Sequence, residues 1–148
     1  MAGAGEHLRG IITGERRLSA ADLAGRLQGM RLLTVATVTA DGRPLAGPVD
    51  GYFLHGTFWF SSGRNSVRMR HLAARPAVSA THLPGEELAV TVHGRAVPVD
   101  LGAPEHASLR RRLLELYVPQ YGASWETDIL DPSAWARIEA DRMFTYVA

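Results

Sequence analysis

Cysteine is absent from the 148 residues. That absence excludes disulfides, thiol nucleophiles, Cys-ligated zinc and iron–sulfur clusters. Lysine is absent too, all 16 basic residues being arginine, so no lysine Schiff base can form and a lysine-linked pyridoxal enzyme is excluded. No stretch approaches the roughly 18 apolar residues of a membrane span. Met1 to Gly10 lacks the basic start and apolar middle of a secretory signal. The expectation is a cytoplasmic protein with no membrane partner. A formal net charge of +1 is too mild for a dedicated nucleic-acid binder. The six histidines show no His-x-x-x-His spacing, so no metal site is expected. Neither a Gly-x-Ser-x-Gly elbow nor a dinucleotide glycine fingerprint occurs.

What is present reads as one domain, large enough to bury a core without staples. Residues 1–17, rich in Gly, Ala and Arg, read as a mobile segment before a single domain over 18–148. Ser19 opens a helix in a capping-box pattern with Asp22, and Leu23, Leu27 and Met30 form its apolar stripe. Leu32 to Thr39 is rich in β-branched residues and reads as a strand. Asp41-Gly42 signals a two-residue hairpin, Pro44 to Leu54 the return strand, His55-Gly56 a second tight turn, and Thr57 to Ser61 a third strand. Ser66 caps a short helix that Pro76 ends. Ala77 to Leu83 and Leu88 to Val99 are strands; alternation in the latter is poor enough to suggest cover on both faces. A helix is expected from Pro104 to about Val118, with Arg110, Arg111 and Arg112 mostly on its solvated side. Residues 119–133 read as irregular and Trp135 to Val147 as the last strand. Six or so strands at hairpin spacing with three helices indicate a small β-barrel with helices packed outside it.

Charge is distributed unevenly. Gly51 to Gly85 contains no Asp or Glu but holds Arg64, Arg68, Arg70 and Arg75 with His55, His71 and His82. Within it, Ser61, Ser62, Arg64, Ser66 and Arg68 cluster where a strand yields to a helix. A helix start offers unpaired amides, the hydroxyls add donors, and Arg68 can reach back as a bidentate phosphate partner. A solvated loop with an ordinary cap is the competing reading. Upstream, the strand Ala46-Gly47-Pro48-Val49 contains a residue that cannot donate to a ladder and one without a side chain. Either a flat molecule lies against it or it is an edge strand with a bulge. Tyr117, Tyr121 and Trp125 line a substrate pocket on one reading and are core or interface aromatics on the other.

Phe58-Trp59-Phe60-Ser61-Ser62, then Ser66-Val67-Arg68, Leu72 and Arg75-Pro76-Ala77-Val78-Ser79, resemble the pyridoxamine 5'-phosphate oxidase-like flavin-binding split barrels. His93-Gly94-Arg95-Ala96 is similar to a turn in that family's long fifth strand. The resemblance implies a six-stranded split β-barrel, mainly β with flanking helices, that binds a flavin and forms a homodimer with flavin sites between subunits. It implies cofactor contacts from Ala46, Gly47, Pro48 and Val49 along the ring and from Ser61, Ser62, Ser66 and Arg68 at the phosphate, with Arg68 where many relatives have Lys. It also implies that the C-terminal strand and Trp125 or Trp135 approach the partner's flavin. The C-terminal segment retains only Arg137 and Arg142 as basic residues, which argues against pyridoxamine phosphate as substrate. The cofactor expected is FMN or, as in small Arg-rich members, a deazaflavin coenzyme whose acidic tail Arg64 or Arg70 would meet. The expected activity is a flavin-dependent oxidoreductase exchanging hydride with a small conjugated molecule; no catalytic residue is assigned beyond a bound water or Tyr121 as proton source. The alternative is a non-catalytic flavin- or tetrapyrrole-binding carrier or sensor.

Overall fold

The computed structural model describes residues 18–148, so the segment 1–17 lies outside the described residues. Six strands close into an antiparallel barrel in the order β1-β2-β3-β6-β5-β4. They are β1 (Met30–Val38), β2 (Pro44–Leu54), β3 (Thr57–Gly63), β4 (Ala77–Gly85), β5 (Leu88–Val99) and β6 (Ser133–Val147). Helix α1 (Ala20–Arg26) precedes β1, α2 (Val67–Ala74) links β3 to β4, and α3 (Ala107–Tyr121) follows β5. Among the described residues no helix is long and apolar enough to cross a membrane.

Two hairpins show how local chemistry sets register. His55 and Gly56 both take the left-handed conformation, φ 55° and 74°, and join the paired residues Leu54 and Thr57 as a two-residue turn. Asp41-Gly42 does not make the two-residue turn expected of it. Thr39 and Arg43 close a longer loop through Thr39 N–H to Arg43 O (2.9 Å) and Gly42 N–H to Thr39 O (3.0 Å). Only Gly42 is left-handed there, φ 86°, the pattern of a three-residue hairpin with glycine last. Arg43 N–H also donates to Thr39 Oγ1 (2.9 Å), which fixes the longer loop.

The barrel interior is one apolar cluster that includes Leu33, Val35, Phe58, Phe60, Val90, Val92 and Ile138. Phe58 and Phe60 are 1% and 0% exposed, each contributing about 1.5–3 kcal/mol by burial. Helix α1 closes one end with Leu23 and Leu27; α2 closes another part with Leu72. A second cluster lies outside the barrel, where Leu109, Leu113 and Tyr117 of α3 pack on Tyr52, Trp59 and Trp135.

Three local expectations are corrected. β5 alternates buried and half-exposed residues rather than being covered on both faces; a register shift at His93/Gly94 breaks the sequence period and hides the alternation. Helix α3 begins at Ala107, after a 3₁₀ turn over Pro104–His106, and runs through Pro119 to Tyr121. The proline removes only one late bond, and Gly122 N–H still caps on Val118 O (2.8 Å). The segment after it is not wholly irregular, because Glu126–Leu130 forms a π-helical turn. Ser19 and Ser66 do cap α1 and α2, their hydroxyls accepting from Asp22 N–H and Met69 N–H.

Candidate functional site

Strand alternation points Phe58, Phe60 and Ser62 to one face of β3, and Gly47 and Val49 to the same face of β2. β2 and β3 pair only from Gly51↔Phe60 to Leu54↔Thr57. Beyond that pair they part. β3 continues along β6, as Ser61↔Trp135, Ser62↔Ala134 and Gly63↔Ser133, while residues 44–50 of β2 keep only β1 as a paired neighbour. The barrel is therefore split at this point, and one edge of the 44–50 segment has no strand partner among the described residues.

Arg68 reaches into the split from the first turn of α2. Its Nη1 donates to Ser62 Oγ (3.2 Å), Ser62 Oγ donates to Ser66 Oγ (3.0 Å), and Ser66 Oγ accepts from Met69 N–H (3.2 Å). A Cβ at Gly47 would stand 2.8 Å from Arg68 Nη2, so the guanidinium tip packs directly over this glycine and a larger residue would push it aside. Burial pulls the Arg68 pKa below its ordinary value, yet a guanidinium keeps its charge at any physiological pH. None of the ion pairs among the described residues involves Arg68. A partly dehydrated cation with no counter-charge among the described residues, beside two hydroxyls and a helix start, has the chemistry to receive an anion.

The structure thus brings Gly47, Ser62, Ser66 and Arg68 together. Ala46 and Pro48 point to the opposite, outer face of β2 and are exposed, and Val49 is buried in the barrel. Ser61 alternates away from Ser62 and lines a separate cavity. Arg64 is exposed and donates to the Asp131 carbonyl (2.8 Å), away from Arg68. Arg70 is exposed, and Arg75 is engaged with Val38 O (2.9 Å). His71 is half-buried, its Nδ1 3.1 Å from Thr37 Oγ1, and His93 pairs with Ser79 Oγ (2.7 Å) on the outer face.

The separate cavity, about 390 Å³, lies between the outer side of β2, β3 and β6 and helix α3. Tyr52, Tyr117, Trp125 and Trp135 wall it, with Asp50, Ser61 and Asp128 among the polar lining. Trp125 stacks on Tyr117, ring centroids 4.5 Å apart at 17°. Tyr117 OH donates to Asp50 Oδ2 (2.9 Å) and, its only proton being used, accepts from Tyr52 OH. Burial is the main force raising both phenols, Tyr117 to about 12 and Tyr52 further. The Trp135 indole N–H is buried without an acceptor among the described residues. Trp125 and Trp135 both lie beneath the chain's own α3 segment.

The sequence places Arg110 on the solvated side of its helix. Instead it donates to Glu126 Oε1 (2.6 and 3.2 Å) and Asp131 Oδ1 (2.8 Å), clamping the turn that carries Trp125. Asp50 and Tyr52 are participants that sequence spacing missed, Arg110 is read there only as a solvated side chain, and Trp135 is singled out only through the resemblance. Tyr52 and Tyr117 are 65 residues apart, and no periodicity links them.

Solved structures share this architecture. A conserved hypothetical protein from Mycobacterium tuberculosis superposes with a TM-score of 0.71 at 22% identity, over 91% of this chain and 88% of the other. A FAD-binding protein from Mesorhizobium loti gives 0.62 at 20% identity, over 88% and 96%. A haem storage protein from Vibrio cholerae gives 0.67 at 17% identity, over 86% and 92%. Among curated proteins none matches the sequence. The family model described as pyridoxamine 5'-phosphate oxidase matches residues 20–146, nearly the whole described barrel and all of the split. The chain belongs to the pyridoxamine 5'-phosphate oxidase family.

Proposed function

We propose that the split between β2 and β3 holds the phosphate of a flavin, FMN or a deazaflavin coenzyme, and that the protein is a flavin-dependent oxidoreductase acting on a small conjugated molecule. The observation that carries this is Arg68: a partly dehydrated guanidinium, bonded to Ser62 Oγ, that no carboxylate among the described residues neutralises. Ser62, Ser66 and Arg68 would hold the phosphate, and the unpaired edge of residues 44–50 would lie along the ring. When bound, the flavin supplies two-electron hydride chemistry. The chain's part is to position the ring, to exclude water and to keep the nearby phenols protonated. A longer acidic tail would be met by Arg70, which is exposed, or by Arg64 only if it left the Asp131 carbonyl.

A homodimer fits the barrel's outer face. Thr34, Ala36, Ala46, Pro48, Ser79 and Thr81 present small, uncharged side chains there. Leu32 and Leu83, 58% and 64% exposed, flank this flat patch. Ala46 and Pro48 belong both to it and to the proposed cofactor strand, so a second copy seated there would close over the ring. A patch of that kind is the usual mark of an interface.

The test is the visible spectrum of the purified chain, with mass identification of any released chromophore and titration with FMN and a deazaflavin coenzyme. A flavin-type spectrum, or saturable binding of either cofactor, is expected, with reoxidation of the reduced form speeded by an enone or quinone. A colourless chain that binds neither overturns the reading. The carrier or sensor alternative gains support from the Vibrio haem storage protein; a haem-type spectrum without turnover would favour it.

A further inference from the structure

The aromatic cavity between β2, β3, β6 and α3 is chemically unlike the split beside it. Its lining contains no arginine or histidine but includes two carboxylates, Asp50 and Asp128. The Tyr52 to Tyr117 to Asp50 chain runs its protons towards Asp50, so Tyr52 and Asp50 present lone pairs rather than donors. Trp125 and Tyr117 form a parallel stack, and Tyr121, 64% exposed, stands at the rim, tilted 31° from Tyr117. The side-chain N–H groups in the wall are the indoles of Trp125 and Trp135; Trp135 is 6% exposed and its nitrogen has no acceptor among the described residues.

We infer that this cavity is a binding site for a flat conjugated molecule that is uncharged or cationic, and that it rejects anions. Aromatic walls recognise flat rings by their faces and edges. Two carboxylates with no cation among the described lining residues make an anionic group repulsive at close range. Asp50 directly follows Val49, and Ser61 directly precedes Ser62, so the cavity opens where β2 and β3 part. Naming the occupant as the substrate rests on the flavin reading; its binding and charge preference do not.

The experiment titrates the full chain, with and without FMN, following tryptophan fluorescence. The probes are 1,4-naphthoquinone, N-methylquinolinium and 1,4-naphthoquinone-2-sulfonate. Saturable quenching by the first two is expected, with the sulfonate weaker by about tenfold or more, the scale of one close like-charge contact. Trp125→Ala should remove the saturable phase. Asp50→Asn should narrow the gap between quinone and sulfonate, and Asp128→Asn, which leaves the phenol chain intact, should do so without any change in fold. The inference is overturned if the sulfonate binds as tightly as the quinone, if neither Asp variant alters the ratio, or if none of the probes binds. Quinone binding by a chain that takes up no flavin would sink the cofactor assignment alone.

Discussion

The split mouth and the aromatic cavity are lined from the same two strands, by Ser62 and Ser61 of β3 and by Gly47 and Asp50 of β2, yet their chemistry is opposite. Ser62 and Gly47 face a guanidinium with no counter-charge among the described residues, while Ser61 and Asp50 face rings and carboxylates. The period of two in a β-strand is what allows this: adjacent residues serve opposite sides of the sheet. The mouth is polar, half-open and held by few contacts. The cavity is walled by the buried rings of Tyr52, Tyr117, Trp125 and Trp135, whose two phenols are tied in a chain to Asp50. Charge should therefore govern ligand binding at the mouth, whereas at the cavity it should govern stability as well.

The largest expected effect lies on the cavity side and appears at high pH. Both phenols have raised pKa values in the folded chain, Tyr117 to about 12 and Tyr52 further, against about 10 when unfolded. Below pH 10 both states keep these protons and stability is unaffected. Above it the unfolded chain releases them first, so stability falls by about 1.4 kcal/mol per pH unit for each phenol. Between pH 10 and 12 the loss should reach roughly 3–5 kcal/mol, measurable as a falling denaturant midpoint. Tyr117→Phe should make that slope clearly shallower. An unchanged slope would mean that the phenols are not buried as a pair.

On the mouth side the expected effect is next in size and of a different kind. Arg68→Ala should weaken flavin binding by roughly 1.5–3 kcal/mol, the scale of a charged hydrogen bond, while leaving the melting temperature unchanged or higher. The sign follows from burial, since the folded state holds a cation it has partly dehydrated and does not pair. Equal losses of affinity and stability would erase the contrast between the two sites.

Arg110 tests whether the cavity wall depends on its clamp. Its partners are partly exposed, so Arg110→Ala should lower stability by about 1–2 kcal/mol. It should also loosen Trp125, seen as a red shift of tryptophan emission, without altering flavin affinity.

The two regions also differ in how far the sequence reveals them. The mouth is local in the chain: Ser62, Ser66 and Arg68 fall within seven residues of a strand-to-helix junction, so capping and phosphate chemistry identify them together. Ser61 reads with Ser62 in the sequence because proximity hides the alternation of faces. Arg64 reads with Arg68 because a charge count cannot foresee that the Asp131 carbonyl takes it. The cavity is assembled from β2, α3, the π-helical turn and β6, and its Tyr52–Tyr117 contact exists only once the barrel has closed. The strands were legible from β-branched runs and turn residues, except where the shift at His93/Gly94 masked the period and where Pro119 suggested too early a helix end. Both failures are cases of tertiary packing overriding a local rule.

The smallest effect distinguishes a hydroxyl that only caps from one that binds. Ser62 Oγ accepts from Arg68 and donates to Ser66, so Ser62→Ala removes two neutral-oxygen contacts but no charge. Flavin affinity should fall by about 0.5–1.5 kcal/mol, less than for Arg68→Ala. Ser66 bonds the α2 amide of Met69 as a helix cap, so Ser66→Ala should lower stability as well, by about 1 kcal/mol. The informative quantity is the double-variant cycle of Ser62→Ala with Arg68→Ala. If Ser62 acts mainly by aiming the guanidinium, the two losses will not add, and Ser62→Ala will do nothing once Arg68 is gone. Additive losses would instead mean that the hydroxyl meets the phosphate directly, and the mouth would then contain two independent donors rather than one oriented cation.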